Sequence, residues 1–416
     1  MLTRRDMIRS GVVGLIPAGI AGAGEPPRPP RHFIARGRAL GMPSGPGGEP
    51  WAIVAMSPRG GTVAGSLGGS LRVWDFETGN RLLDEPLAHP LGITGLAVGP
   101  DDYSHEPTQI AIAGYGRLAD DQEFARGAPR RAGAALGIWN LKRLGTPELT
   151  LAPRSLGLPM FPGGYGRVAS LGDGLQVWDI QHGTEVVSLS GGPGGADALA
   201  LGIEVTAAFD PQGYHERAVA ISNRVQVGDH PLEFEGGLVH WNYEDKLARY
   251  VRYTKFSALK AAGLQDDAPQ CLTIEWQDGL VLTVGPRHQI EAWSLNDEEP
   301  LRVQGMEPAL APKPDYERGP TCVAARPDGA RWVTGSRDGL LRVWSTVDRR
   351  LIRVYHGPKV PVRAVAFVPK STKVRVVSGG TFGPPDDKGF RPVYPITAWE
   401  VDLGPRPEPT WLPTLP

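Results

Sequence analysis

The chain lacks the features that mark several large classes of protein. Only two of its 416 residues are cysteine, which excludes a disulfide-rich secreted scaffold. The 44 Lys and Arg balance 45 Asp and Glu, giving a net charge of −1, so the basic surplus of a general nucleic-acid binder is missing and we expect no nucleic-acid partner. No long apolar run follows residue 24, so we expect no membrane span in the mature protein.

Glycine and proline, by contrast, are abundant. The 55 Gly and 41 Pro disfavour a helical protein, because both residues are poor in helix interiors. Disorder is not indicated either, since 41% of the residues are hydrophobic and eleven are Trp, enough to build a large core. This combination predicts a turn-rich, all-β globular protein.

The N-terminus has the features of an export signal. Arg4 and Arg5 precede a short apolar stretch, 11–20, and Ala21-Gly22-Ala23 supplies the small residues at which signal peptidases cut. The arginine pair resembles the bacterial twin-arginine type of signal, although Met7 replaces its usual Phe. We predict a cleavable export signal over 1–23, a Pro-rich spacer over 24–32, and a location in the bacterial periplasm or cell envelope. The alternative is a flexible basic tail, and whether the signal is cleaved stays open.

Seven tryptophans recur with constant neighbours. Each has Leu or Ile three residues before it, and in six cases a short turn-forming side chain directly after it. In a strand, the residues at −3 and −1 share one face and the Trp lies on the other, so each strand is apolar on both faces and must lie between two layers. The repeat tryptophans are Trp74, Trp139, Trp178, Trp241, Trp293, Trp344 and Trp399.

These repeats resemble the WD-repeat β-propeller family. Trp-Asp dipeptides at 74–75 and 178–179 match the family's signature, and the sequence of 335–344 is close to its consensus. The likeness covers roughly 33–403 and implies an all-β fold, a seven-bladed β-propeller with four antiparallel strands per blade. Because the family is usually non-catalytic, the resemblance also implies a monomeric disc that docks a protein or peptide partner.

The family's His-Ser/Thr-Asp-Trp tetrad is complete in no blade. Blade six has Thr334, Asp338 and Trp344 but no matching His. We therefore expect the inter-strand network to be weaker than is usual for the family.

The chain ends predict how the ring closes. The tail over 404–416 is rich in proline, which lacks the amide that a ladder needs, so it is a poor fourth strand for blade seven. The segment 33–40 precedes the first blade and is the natural substitute. We predict that this N-terminal strand closes the ring as the outer strand of blade seven.

The propeller region holds about 53 residues per blade, against roughly 40–45 for this repeat type, and the excess lies in loops. Enlarged connections are expected at 115–135, 223–236, 381–395 and 254–263, the last predicted to be a helix. All four fall on one face of the disc, and long loops on a rigid scaffold commonly bind partners.

These loops supply the candidate partner-binding residues. They are the aromatic and Arg side chains typical of interface hot spots: Phe124, Arg126, Arg130, Arg131, Phe234, Phe390 and Arg391. The alternative is that the loops are solvated and their aromatic side chains lie against the disc.

Catalytic and metal sites are not indicated. The nine His lack metal-ligand spacing and no Cys-x-x-Cys occurs, so we expect no metal and no cofactor. Near the predicted channel only Glu204, Glu275 and Arg363 are ionisable, without an identified partner, so we assign no catalytic residues and predict a non-enzyme. The alternatives are a hydrolase or lyase at the channel mouth, and a cell-wall glycan binder using Trp51, Trp276 or Trp411.

The two cysteines align with each other in neighbouring repeats. Cys271 and Cys322 occupy the same point of adjacent predicted inner strands. Those strands belong to separate sheets, and a bridge needs Cα atoms within about 7 Å, so buried thiols are favoured while a disulfide stays open.

Overall fold

A computed structural model shows where these segments lie. It describes residues 31–34, 38–41, 53–67, 70–86, 93–99, 109–115, 134–141, 149–151, 158–161, 166–171, 174–190, 205–209, 217–226, 234–242, 250–255, 271–275, 280–285, 287–288, 290–294, 302–307, 318–326, 330–345, 350–380 and 394–404. Within these ranges the regular structure is entirely β.

The strands are short and follow one another closely along the chain. In chain order they are β1 (Arg31–Ile34), β2 (Arg38–Gly41), β3 (Ile53–Met56), β4 (Thr62–Leu67), β5 (Ser70–Asp75), β6 (Arg81–Pro86), β7 (Ile93–Val98), β8 (Gln109–Tyr115), β9 (Ala134–Asn140), β10 (Leu149–Leu151), β11 (Leu158–Met160), β12 (Arg167–Leu171), β13 (Gly174–Asp179), β14 (Thr184–Ser190), β15 (Val205–Phe209), β16 (Arg217–Gln226), β17 (Phe234–Asn242), β18 (Tyr250–Lys255), β19 (Cys271–Glu275), β20 (Leu280–Val284), β21 (Ile290–Ser294), β22 (Arg302–Glu307), β23 (Pro320–Ala325), β24 (Arg331–Ser336), β25 (Leu340–Ser345), β26 (Arg350–His356), β27 (Val362–Phe367), β28 (Lys373–Ser378) and β29 (Ile396–Asp402).

Consecutive strands pair antiparallel to form separate sheets. We number them sheets 1 to 7 in chain order: β3–β6, β7–β10, β11–β14, β15–β18, β19–β22, β23–β26 and β27–β29. Repeated four-stranded antiparallel sheets of this kind are the building units of β-propellers. The architecture is therefore all-β and consistent with a propeller.

The two N-terminal strands join the outer edges of the last two sheets. β2 pairs antiparallel with β29, with Arg38 opposite Ala398, and is the outer strand of sheet 7. β1 pairs parallel with β26, with Arg31 opposite Arg353, and gives sheet 6 a fifth strand. The sequence predicted one unbroken strand over 33–40 as the outer strand of the last sheet. The single strand is wrong, because this segment forms two strands on two sheets and a straight strand cannot follow two separate sheet edges.

Each repeat tryptophan lies on the third strand of its sheet. Where the tryptophan side chain is described, it packs against the preceding sheet. The Leu or Ile at −3, usually with the residue at −1, meets the indole of the next sheet in a buried cluster. The groups are Leu71 and Val73 with Trp139, Leu136 and Ile138 with Trp178, Ile290 with Trp344, Leu341 and Val343 with Trp399, and Ile396 and Ala398 with Trp74. The core thus lies between sheets, and the last group joins sheet 7 to sheet 1.

Antiparallel order divides the connections between two ends of the sheets. Connections from second to third strand, and from fourth strand to the next sheet, share what we call the long-loop end; the others share the opposite end. The longest at the long-loop end are 116–133, 379–395, 256–270 and 191–204, whereas the longest at the opposite end is 99–108. At the long-loop end, sheets 6 and 7 are joined by the short turn 357–361.

Two predicted loop features differ from the structure. A helix was expected over 254–263, but its first two residues belong to the strand β18, where Tyr253 and Thr254 favour extended backbone. Residues 256–263 lie outside the described part. Half of the expected loop 223–236, namely 223–226 and 234–236, lies in the strands β16 and β17, whose pairing is shifted by a bulge between Ser222 and Val225. A bulge lets a strand resume its pairing after an irregular residue.

Candidate functional site

The predicted partner-binding residues belong to the connections at the long-loop end. Phe124, Arg126, Arg130 and Arg131 fall within 116–133, and Phe390 and Arg391 within 381–393, all outside the described residues. Phe234 is the first residue of β17 and pairs with Gln226, so it lies in a strand rather than in the loop that the sequence predicted.

The described part of the long-loop end is closely packed at sheets 6 and 7. Gly339 has a φ of 79°, and a Cβ there would lie 3.0 Å from the carbonyl oxygens of Pro358 and Val360. The turn after β24 therefore touches the turn 357–361 backbone to backbone. Thr321 links the same two sheets at their inner strands, because its hydroxyl donates to the Val362 carbonyl at 2.7 Å. Sheets 6 and 7 are thus held together at this end by backbone packing and by a hydrogen bond.

The hydrogen-bond network of sheet 6 is completed by an arginine. The Trp344 indole donates to the Thr334 hydroxyl at 3.0 Å, as the family tetrad requires. Asp338 lacks a histidine partner but forms a 2.7 Å ion pair with Arg342 and accepts the Leu340 amide. Arg342 also donates to Ser336 at 2.7 Å. The Asp338 carboxylate is thus paired without the family's His, because Arg342 of β25 reaches it instead.

Sheet 7 keeps the tryptophan half of this network. The Trp399 indole donates to the Ser378 hydroxyl at 3.1 Å, and both groups are buried. The bond ties the second strand of the sheet to its third. Indole position is therefore set by a hydrogen bond as well as by packing in both sheets.

At the opposite end, three side chains of sheet 6 hold the end of β29; we call them the 6–7 clamp. Arg331 donates to the carbonyls of Leu403 at 2.9 Å and Gly404 at 3.2 Å. Arg353 donates to Leu403, and the Tyr355 hydroxyl to the Asp402 carbonyl at 2.9 Å. Since backbone carbonyls left without donors are costly when buried, the clamp fixes where the chain leaves the sheet.

Another arginine, Arg375, joins sheet 7 to sheet 1; its contacts form the 7–1 clamp. Arg375 donates to the Gly60 carbonyl at 3.3 Å and to the carboxylates of Glu77 and Glu400. Its guanidinium lies 4.9 Å from the centre of the Phe76 ring, within cation–π range. Glu400 also pairs with Lys373 at 2.7 Å, and this bond raises the pKa of Lys373.

Arg331 and Arg375 occupy equivalent positions in sheets 6 and 7, and the sequence analysis did not identify either of them. Each lies on the second strand opposite the residue that follows the repeat tryptophan: Arg331 opposite Ser345 and Arg375 opposite Glu400. Arg167 and Arg217 hold the same position in sheets 3 and 4. Aligning the repeats on the second strand as well as the third would have revealed this recurring arginine.

Of the three predicted channel residues, only Arg363 has a side chain in the described part of the structure. Arg363 lies on β27 and donates to the Gly379 carbonyl at 3.4 Å. Glu275 ends β19, and its side chain is not described; Glu204 lies outside the described residues. Among the described residues, no three His, Cys, Asp or Glu side chains gather into a group that could hold a metal ion.

Cys322 is a free thiol in the structure. It packs in the cluster between sheets 6 and 7, away from sheet 5, which carries Cys271 on β19. Burial raises the pKa of the Cys322 thiol to about 11, so the thiolate that would attack a partner is scarce at neutral pH.

Part of the chain matches a known family. Residues 316–345 match the WD domain, G-beta repeat (WD40) family. This stretch contains β23, β24 and β25 of sheet 6. The match supports a WD-repeat protein.

WD40 repeats suggest a protein-interaction scaffold and protein partners, and proteins built from them are usually non-catalytic. As for membranes, no helix suited to crossing a bilayer occurs in the described ranges.

Proposed function

We propose that the chain is an exported, non-catalytic WD-repeat propeller of seven blades that docks a protein or peptide partner on its long-loop end. The observation that carries the proposal is the one-sided enlargement of the connections on a rigid stack of sheets. Loops of this kind are where rigid scaffolds place binding residues. The predicted hot-spot side chains outside the described residues belong to these same connections.

The order of contacts between first strands supports a closed ring. β3 contacts β7, β7 contacts β11, and the series continues through β15, β19 and β23 to β27, which contacts β3. A stack of sheets whose last member touches its first needs no exposed apolar face at either end. Pairing of β2 with β29 supports closure by the N-terminal segment.

Docking is tested by changing the connection 116–133. In the test variant Phe124, Arg126, Arg130 and Arg131 become Ala, and in the matched control Arg59, Arg81, Lys370 and Lys373 at the opposite end become Ala. Both proteins are used as baits in envelope extract of the native host, after thermal melting has shown that each is folded. We expect the proteins captured specifically by the wild type to be lost only with the first variant. Equal capture by both variants and the wild type would contradict docking at the long-loop end.

Export is tested separately. Residues 1–30 are fused to a reporter, and Arg4 and Arg5 are changed to Lys, which keeps the charge but removes the paired guanidinium groups. We expect the reporter to remain in the cytoplasm. Undiminished export of the Lys-Lys variant would refute a twin-arginine signal.

A further inference from the structure

We propose that the long-loop end binds an acidic peptide segment, one that bears several Asp or Glu side chains, on a positively charged surface at sheets 6 and 7. The inference rests on the proposed docking function and names the chemistry of its partner. We call this surface the basic corner. Its four side chains are Arg318, Arg337, Lys359 and Arg363, of which Arg318 and Lys359 are exposed and the other two half-buried.

Backbone contacts bring the segments of the basic corner together. The Arg337 amide donates to the Gly319 carbonyl at 3.0 Å, so Arg337 lies beside the turn that carries Arg318. A Cβ on Gly339, two residues further along the chain, would lie 3.0 Å from the carbonyl oxygens of the residues on both sides of Lys359. Three of the four positive charges are therefore carried by segments that touch one another in turn.

The turn that carries Lys359 is held in place by packing and by hydrogen bonds. Val360 is buried. At the end of the turn the Pro361 carbonyl accepts the Gly379 amide at 2.9 Å, and the Gly379 carbonyl in turn accepts a bond from Arg363 at 3.4 Å. Charges displayed from a fixed backbone lose little conformational freedom on binding, which favours affinity.

The basic corner carries a surplus of positive charge. Asp338 is the one carboxylate that the described residues place there, and it forms the 2.7 Å ion pair with Arg342, in which Arg342 and Asp338 are 12% and 17% exposed. This pair is neutral and shielded, so the four corner charges remain. The adjoining connections outside the described part, 308–317 and 381–393, hold three basic and four acidic residues, so counting them lowers the surplus only from four to three.

The distribution of these charges favours a chain of carboxylates. They come from three turns and from the start of β27, so they are spread along a surface instead of converging on one small anion. Complementary charge of this kind steers a partner and fixes its register. A nucleic acid fits less well, because the whole chain has a net charge of −1 and lacks the basic surplus that general nucleic-acid binding needs.

The test measures binding of a fluorescein-labelled peptide in which Glu and Gly alternate, by fluorescence anisotropy at low and at physiological salt. A corner variant and a matched control each lose three positive charges, and thermal melting shows that both are folded. The substitutions are Arg318→Gln, Arg337→Gln and Lys359→Gln in the corner variant, and Arg59→Gln, Arg81→Gln and Lys370→Gln, at the opposite end, in the control.

We expect the corner variant to bind the peptide about ten-fold more weakly than the wild type at low salt, since three exposed ion pairs are lost, and the control to bind as the wild type does. Physiological salt should reduce the difference. If the triple variant does not fold, Lys359→Gln alone should still weaken binding about two-fold. No binding by the wild type, equal weakening in both variants, or equally tight binding of a Gln-Gly peptide or of a single-stranded oligonucleotide would overturn the acidic peptide.

The same peptide, added as a competitor to the capture from envelope extract, separates this inference from the docking function. Capture that is lost in the 116–133 variant but unaffected by the acidic peptide would keep docking and overturn the acidic partner. Unchanged capture by the 116–133 variant would instead count against the proposed function, whatever the peptide does.

Discussion

The 6–7 and 7–1 junctions use an equivalent arginine in different ways. Arg331 is buried and donates to neutral backbone carbonyls of Leu403 and Gly404. Arg375 donates to one carbonyl but also to two carboxylates, and the Glu77 side chain is 73% exposed. Ion pairs to exposed carboxylates are weakened by solvent and salt, so the two junctions differ in strength and in their response to conditions.

The difference follows from how each pair of sheets is connected. Sheets 6 and 7 are joined by a five-residue turn, 357–361, and by the bond from Thr321 to Val362. Sheets 7 and 1 meet through residues far apart in sequence, such as Arg375 and Gly60. A junction between distant segments cannot rely on a short connection, so side-chain contacts and the cluster around Trp74 hold it.

The largest expected effect is steric and separates the two junctions. A Cβ on Gly335 would lie 2.3 Å from Val362 Cγ1 and 2.7 Å from Cys322 Sγ, whereas on Gly65 the closest atom is Ile396 Cδ1 at 2.8 Å. Since Val is stiff and the end of Ile is flexible, Gly335→Ala should cost about 3 kcal/mol and Gly65→Ala about 1 kcal/mol. Denaturant unfolding measures both, and equal costs would contradict the tighter 6–7 contact.

The arginine substitutions come next. Arg331→Met leaves buried carbonyls with fewer donors and should cost about 2–3 kcal/mol. Arg375→Met should cost about 1 kcal/mol, because the carboxylates it releases can be hydrated or can pair with Lys373. Raising the salt concentration to about 1 M should shrink only the second cost. A salt-dependent effect of Arg331→Met would show that its carbonyl contacts are not what stabilises the junction.

Alkaline pH should weaken the 6–7 junction through Cys322. Its folded-state pKa of about 11 lies above the usual 9.0, so its contribution to stability is complete below pH 9 and is lost as the pH rises towards 11. Since one pKa unit corresponds to about 1.4 kcal/mol, the full loss is about 2.7 kcal/mol. Unfolding of wild type and Cys322→Ala is compared across this range. The wild type should lose more stability than the variant; parallel curves would contradict a buried thiol.

The smallest expected effect is at acid pH. The hydrogen bond from Thr372, at 2.5 Å, and the amide of Gly404 lower the pKa of Asp402. A lowered pKa contributes stability above the ordinary value of 3.8 and loses it as the pH falls through the folded-state value. Asp402→Asn should therefore be slightly less stable than wild type near neutrality, with the difference disappearing below about pH 3. Melting curves at both pH values measure it.

Repeat position was readable in the sequence because strand alternation is local. Leu341 three residues before Trp344, and Ile396 three before Trp399, place apolar side chains on both strand faces whatever the rest of the fold does. The indole bonds were partly readable, since Thr334 was identified as a tetrad residue. The bounds predicted for the loop at 223–236 were wrong, because the continuation of β16 past a bulge depends on pairing with β17 rather than on local turn residues.

The amino-acid pattern alone was sufficient to predict an all-β chain built of tryptophan-centred units, because the alternation of side chains within a few residues shows which of them share a strand face. The strands with which 31–41 pairs, and the partners of Arg331, Arg342 and Arg375, were decided only by the tertiary structure. An edge strand pairs with whichever backbone edge folding brings near it, and a long charged side chain bonds to whichever carbonyl or carboxylate it can then reach. Those groups lie in neighbouring sheets or neighbouring strands, so they cannot be identified from the local sequence.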